Sequence, residues 1–150
     1  MDTLNKVEKI DIIPLYPALN LILKGHTSFF EKKLEGTNIS PAEIHYILRI
    51  YVDNENITQR DLSETFSVSE PIVARTIKNL ENKGFVIRTK DPNNKTRRLL
   101  SLSEQGFEIS ENMLHLTDEW LKEIYKDINE SDIDKFNEII KLLVINSLKL

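Results

Sequence analysis

Between residues 75 and 98 the chain gathers Arg75, Lys78, Lys83, Arg88, Lys90, Lys95, Arg97 and Arg98, eight cations set against only Glu81 and Asp91. Guanidinium and ammonium groups at that density suit the recognition of a polyanion, whose phosphate oxygens accept their hydrogen bonds and whose bound counterions are released. The rest of the chain has the opposite sign, because the net charge is −4 and the pI about 5.5. A basic patch within an acidic chain points to a polyanionic partner for that patch.

Other chemistries find less support. There is no cysteine, which excludes disulfides, thiolate metal sites and thiol redox sensing. His26, His45 and His115 fall into no ligand-like cluster, so no metal is expected. Serine, histidine and aspartate all occur, but without a nucleophile motif or a glycine-rich phosphate loop. No catalytic residue and no cofactor are expected.

The elements that must position the cations can be read from spacing. Length (150 residues), 40% hydrophobic and 29% charged residues fit one soluble globular domain; only four glycines and five prolines argue against a loop-rich or all-β fold, and long Ile/Leu/Glu/Lys segments argue for helices. Residues 4–35 read as helix, broken early at Pro14 and Pro17 and ended at Gly36, with Leu19, Ile22, Leu23, His26, Phe29, Phe30 and Leu34 at helical steps. Ser40-Pro41-Ala42-Glu43 reads as a capping box opening a second helix that bears Ile44, Ile47, Leu48 and Tyr51. Thr58 and Asp61 open a short third helix with Leu62 and Phe66, and Glu70 to Lys83 form a fourth on Val73, Ile77 and Leu80. Gly84 ends it.

Phe85–Thr89 and Leu99–Leu102 read as two short strands around a polar turn at Pro92-Asn93-Asn94. Ser103 caps a long helix reaching about Ile128, with Phe107, Met113 or Leu114, Trp120, Leu121 and Ile124 on one face. Trp120 and its neighbours read as core or dimer contacts. A last helix spans Asp132 to Leu148, and its apolar stripe is too wide for one core-facing side.

Helix, tight turn, helix and basic hairpin make a winged helix-turn-helix. The expected fold is mainly α with a small β-hairpin wing, flanked by N- and C-terminal dimerisation helices. Leu62, Phe66, Val68, Val73, Ile77 and Leu80 can pack the helix pair, leaving Ser69, Pro71, Ile72, Arg75, Thr76 and Asn79 off the buried face. A helix presented this way fits a DNA major groove, while the hairpin's Lys95, Arg97 and Arg98 supply cations for phosphates or the minor groove.

From Ser40 to Gly106 the chain resembles the MarR family of transcriptional regulators, in SPAEIHYIL, ITQRDLSETFSVSEPIVARTIKNLENKGFVIR and DPNNKTRRLLSLSEQG. The flanking helices match that family's order, so the resemblance covers nearly the whole chain. It implies a single MarR-like domain over 1–150, with the winged helix-turn-helix at about 40–106 and intertwined dimerisation helices at about 1–35 and 107–150. It implies a homodimeric repressor or activator of transcription on a pseudo-palindromic double-stranded operator, repressor being the expected mode. It also implies release from DNA by a small phenolic or aromatic effector. Tyr16, His26, Phe30, His45, Arg49 and Tyr51 are the residues that could border such a pocket.

One departure from the family stands out. The family's wing usually carries an acidic residue, a basic residue and an arginine in succession, where this chain has Asn94, Lys95 and Thr96. The groove-reaching arginine is absent from its usual place, and Lys95, Arg97 or Arg98 can substitute, Arg97 first. The alternative reading is a winged-helix protein-interaction module without DNA. The N-terminus has no basic start followed by an apolar run, and residues 139–150 are too short and polar to span a bilayer. A cytoplasmic protein without a membrane partner is expected. Leu4, Val7 and Ile10 are expected to close over the dimer seam.

Overall fold

The computed structural model describes residues 7–8 and 14–150. Leu4 and Ile10, expected at the dimer seam, lie outside them. Among the described residues are six helices and one two-stranded antiparallel sheet, as expected for a winged helix-turn-helix. A first compact unit runs to Leu116 and a second from Thr117 to Leu150.

Helix α1 (Leu15–Lys33) begins directly after Pro14, and Pro17 sits in its first turn, where a missing N–H costs nothing. Helix α2 (Pro41–Val52) opens at Ser40, whose N–H (2.9 Å) and Oγ–H (3.1 Å) both donate to the Glu43 carboxylate. Helix α3 (Gln59–Phe66) has a reciprocal cap: Thr58 N–H donates to Asp61 Oδ2 (2.8 Å) and Asp61 N–H to Thr58 Oγ1 (3.2 Å). Three residues then turn the chain into α4 (Glu70–Asn82), with Ser67 in the left-handed region (φ 52°) and Ser63 Oγ donating to the Val68 carbonyl (2.5 Å).

These helices close on a core of Phe30, Ile44, Ile47, Ile50, Leu62, Val73, Ile77 and Leu80, all buried. Helix α4 ends as its sequence dictates. Gly84 takes φ +83°, and the N–H groups of Gly84 and Phe85 return to the carbonyls of Glu81 and Leu80, both at 2.9 Å.

Strands β1 (Val86–Asp91) and β2 (Asn94–Leu102) are longer than the sequence spacing suggested. They pair Val86 with Leu102 through Lys90 with Arg98, then Asp91 with Asn94, so the ladder continues into the basic segment. An extended segment that no sequence periodicity marks also runs along the far edge of β2. Leu100 N–H donates to the Ile57 carbonyl (2.8 Å), and Glu55 N–H donates to the Leu100 carbonyl (3.1 Å). Leu102 N–H adds a bond to Asn54 Oδ1 (2.9 Å).

Helix α5 (Glu104–Ile124) is capped by Ser103, whose Oγ accepts from Gly106 N–H (3.0 Å) and donates to the Gly84 carbonyl (2.5 Å). A side chain at Gly106 would bring its Cβ to 2.2 Å from the Phe85 carbonyl oxygen, so only glycine lets α5 start this close to the hairpin. Helix α6 (Glu130–Ser147), in the second unit, is capped by Asn129 and buries none of its residues.

One ion pair ties α2 to α4. Lys83, the last-turn cap of α4, donates to both Glu43 carboxylate oxygens at 2.9 and 2.7 Å, and Glu43 is only 5% exposed. Removing one partner strands the other charge in a dry site. Lys83→Met should therefore lower the unfolding free energy by about 3 kcal/mol, the low end for a broken buried pair. The Glu43→Gln/Lys83→Met double variant should recover most of that loss. Urea denaturation reads both, and an unchanged midpoint for Lys83→Met would contradict the role given to the pair.

The α3 cap carries a pH signature. The Thr58 hydroxyl above all, then the Thr58 N–H and the charges of Arg97 and Arg60, hold the Asp61 carboxyl below its ordinary value of 3.8 against an opposing push from burial. A folded-state pKa depressed in this way stabilises fully above the unfolded value and is lost as pH falls through the folded one. The stability gap between the native chain and Asp61→Asn should be constant above about pH 5 and close as pH drops below about 4. A gap that is the same at pH 3 and pH 7 would remove Asp61 from this role.

Candidate nucleic-acid interface

Helix α4 sorts its side chains by period. Val73, Ile77 and Leu80 are wholly buried, while Ser69, Pro71, Ile72, Arg75 and Asn79 are exposed and Thr76 is half-buried. The structure thus groups all six residues expected on the recognition face along one side of the helix. Ser69 is the N-cap residue, and Thr76 Oγ1 donates to the Ile72 carbonyl (3.0 Å). Among the described residues, the Arg75 guanidinium makes no ion pair, which leaves its planar fork of donors available.

The hairpin is held at its base. Arg88 Nε lies 2.9 Å from Glu81 Oε2 on α4, and its Nη1 donates to Gln59 Oε1 (3.3 Å) at the start of α3. Leu100 is fully buried under the same region. At the tip, Asn93 N–H donates to Asp91 Oδ1 (2.8 Å), and Thr96 N–H and Oγ1–H donate to Asn94 Oδ1 (3.1 and 2.8 Å). Asn94 and Thr96, which stand in the resemblance's wing motif, therefore shape the turn for each other.

The three candidate wing cations have different surroundings. Arg97 Nε stands 3.6 Å from Asp91 Oδ2, and its charge also acts on Asp61. Arg98 Nη1 donates to the carbonyls of Lys95 (3.0 Å) and Arg97 (3.1 Å), folding back along the strand. Lys95 is exposed, and its ammonium makes no ion pair among the described residues. Apart from Arg97, which is exposed beside Asp91, the charge run is accordingly of two kinds. Lys83 and Arg88 hold the fold together; Arg75, Lys78, Lys90, Lys95 and Arg98 face outward without an ion pair among the described residues.

A groove of about 560 Å³ separates the wing from the start of α3, bordered by Thr58, Gln59, Arg60, Asp61, Thr96, Arg97 and Arg98. The sequence reading passed over Arg60 because it lies outside the basic run. Its Nε lies 3.0 Å from Glu64 Oε1 one turn further along α3.

The residues considered for an effector pocket are only partly gathered. His26 and His45 stack at 5.6 Å between ring centroids, and His26 lies 4.5 Å from the Phe30 ring. Burial holds both imidazoles below the ordinary histidine value, with His45 adding to the effect at His26. A cavity of about 310 Å³ beside them is lined by Thr27, Glu31, Ser40, Pro41, Ala42 and His45. The others have separate surroundings. Tyr16 is 76% exposed, the Arg49 guanidinium pairs with Asp53 at 2.5 Å, and Tyr51 meets Phe107 edge-on at 5.9 Å.

Residues 39–97 match the MarR family. Over 140 residues the chain is 25% identical to the HTH-type transcriptional regulator BilQ of Clostridioides difficile (strain CD3), covering 89% of this chain and 91% of that one. Its fold is similar to a crystal structure of MarR, with 29% identity, a TM-score of 0.78 and coverage of 93% and 95% of the two chains. It is likewise similar to a MarR family transcriptional regulator of putative assignment from Listeria monocytogenes, solved in complex with a 26-mer DNA. That likeness has 23% identity, a TM-score of 0.81 and coverage of 90% and 89%. Helix pair, wing, outward cations and these likenesses agree: residues 39–97 form a winged helix-turn-helix of the MarR family, a family of transcriptional regulators rather than enzymes.

Proposed function

We propose that this chain is a sequence-specific DNA-binding repressor in the cytoplasm, acting as a homodimer and released from its operator by a small aromatic or phenolic effector. The observation that carries DNA binding is the exposed face of α4, with an unpaired Arg75 among the described residues, set beside a hairpin that offers Lys95 outward. An α-helix fits the major groove, about 12 Å wide, and a bidentate guanidinium suits guanine. The Listeria relative of the same fold, solved with DNA, supports this reading.

The homodimer reading rests on apolar surface. Helix α6 exposes Phe136, Ile139, Leu142, Leu143, Val144 and Ile145, and α1 exposes Leu15, Leu19, Ile22 and Leu23. Faces of this kind call for a partner, and a second copy covering residues about 1–35 and 107–150 is the one we assign. Residues about 40–106 then serve as the DNA-reading part. The effector reading rests on the His26–His45–Phe30 ring cluster and the cavity next to it. It requires a ligand that prefers an arrangement of the dimer unable to span its operator.

Sedimentation at micromolar concentration should show a dimer, and a stable, well-folded monomer would remove the two-fold reading. On an operator selected from random DNA, log affinity should fall with log salt by roughly 0.9 per phosphate contact. Arg75→Ala should cost about 1–3 kcal/mol and relax preference at one position of each half-site. Lys95→Ala should weaken matched and shuffled DNA alike and lower the salt slope by roughly one contact per subunit, with a smaller effect for Arg97→Ala, whose charge is shared with Asp91. Binding that ignores salt, or no selected DNA at all, would favour a protein-interaction module instead.

A further inference from the structure

The outward face of α4 contains one residue of the wrong chemistry for a solvated helix surface. Ile72 is 44% exposed, although every other large aliphatic side chain of α4 is wholly buried. It stands one turn before Arg75 and Thr76 on the same side. Thr76 has its hydroxyl hydrogen engaged by the Ile72 carbonyl at 3.0 Å. Between Ser69 and Arg75 the exposed residues are Glu70, Pro71 and Ile72, and Pro71 and Ile72 make an apolar step next to Arg75.

We infer that Ile72 is a specificity-determining residue that reads the C5-methyl group of a thymine lying beside the guanine read by Arg75. This rests on the reading of α4 as the DNA-recognition helix. In the major groove thymine alone adds a methyl group beside its O4 acceptor, whereas the other bases present no methyl group there. An isoleucine in contact with that methyl group removes apolar surface from water. Against a cytosine amino group or a guanine carbonyl it would strip water and return no hydrogen bond. The same side chain thus attracts one base and penalises its competitors. Three residues advance a helix by about 4.5 Å, and bases along a strand are spaced about 3.4 Å apart. The thymine should therefore lie within about two base pairs of the Arg75 guanine.

Deoxyuridine in place of thymidine removes that methyl group alone and keeps every hydrogen-bonding group, so a scan through the selected operator isolates the contact. The native chain should lose about fourfold in affinity at one thymine per half-site, the factor expected for one buried methyl group. Ile72→Ala should bind the thymine and uracil operators equally, with an unchanged thermal unfolding midpoint, and Ile72→Val should keep part of the preference. The assignment is overturned if the native chain tolerates uracil at every position, or if Ile72→Ala discriminates as the native chain does. It is also overturned if Thr76→Ser, and not Ile72→Ala, abolishes the preference. A chain that binds its operator with steep salt dependence yet ignores the methyl group loses only this inference. Failure to select any DNA would overturn the DNA-binding reading and this inference together.

Discussion

The Glu43–Lys83 pair is the constraint on which the geometry of the site depends. A carboxylate 5% exposed needs its partners, and Glu43 has three: the Ser40 N–H, the Ser40 hydroxyl and the Lys83 ammonium. Through them one side chain sets both the start of α2 and the end of α4. Burial of Val73, Ile77 and Leu80 fixes the rotation of α4 about its own axis, and the ion pair adds a restraint at its far end. Given both, the outward side of α4 is determined. Arg75 and Ile72 are presented because their neighbours cannot be.

The same economy governs the wing. Its base is joined to α4 through Arg88 and Glu81, to α3 through Gln59, and to the 54–57 segment through Leu100 and Leu102. Gly106 lets α5 start against the Phe85 carbonyl, and Ser103 bonds across to Gly84. A hairpin anchored on three sides can hold exposed cations at its tip without losing its own register. Part of the positive charge that marks this region in the sequence is consumed in building it, and the remainder is available to a partner. A substitution at Arg88 and one at Lys95 would therefore act by different routes, the first through the placement of the wing and the second through charge alone.

Much of this was legible in the residues. Capping signals at Ser40, Thr58 and Ser103, the Gly84 stop and the three-four spacing of Val73, Ile77 and Leu80 located the helices, because each is a local rule satisfied within a few residues. The long-range partners were not legible. Nothing local to Lys83 or Arg88 reveals that Glu43 and Glu81 will neutralise them, since those contacts exist only after folding. The bridge from Ile57 to Leu100 was missed for the same reason: one pair of hydrogen bonds leaves no periodicity to read. The wing strands were underestimated because Asn94, Lys95 and Thr96 look like turn or loop residues, although the ladder runs through them. The apolar faces of α1 and α6 were visible as stripes, and among the described residues they stay uncovered in the single chain.

Chemical footprinting of the selected operator reads which groove each element enters. Two patches of major-groove protection about 34–36 Å apart, one turn of B-DNA, are expected from the two copies of α4. Each should be flanked by backbone or minor-groove protection from a wing, and the flanking protection should weaken in Lys95→Ala while the central patches persist. A single protected patch, or protection confined to the backbone with no major-groove signal, would contradict this arrangement.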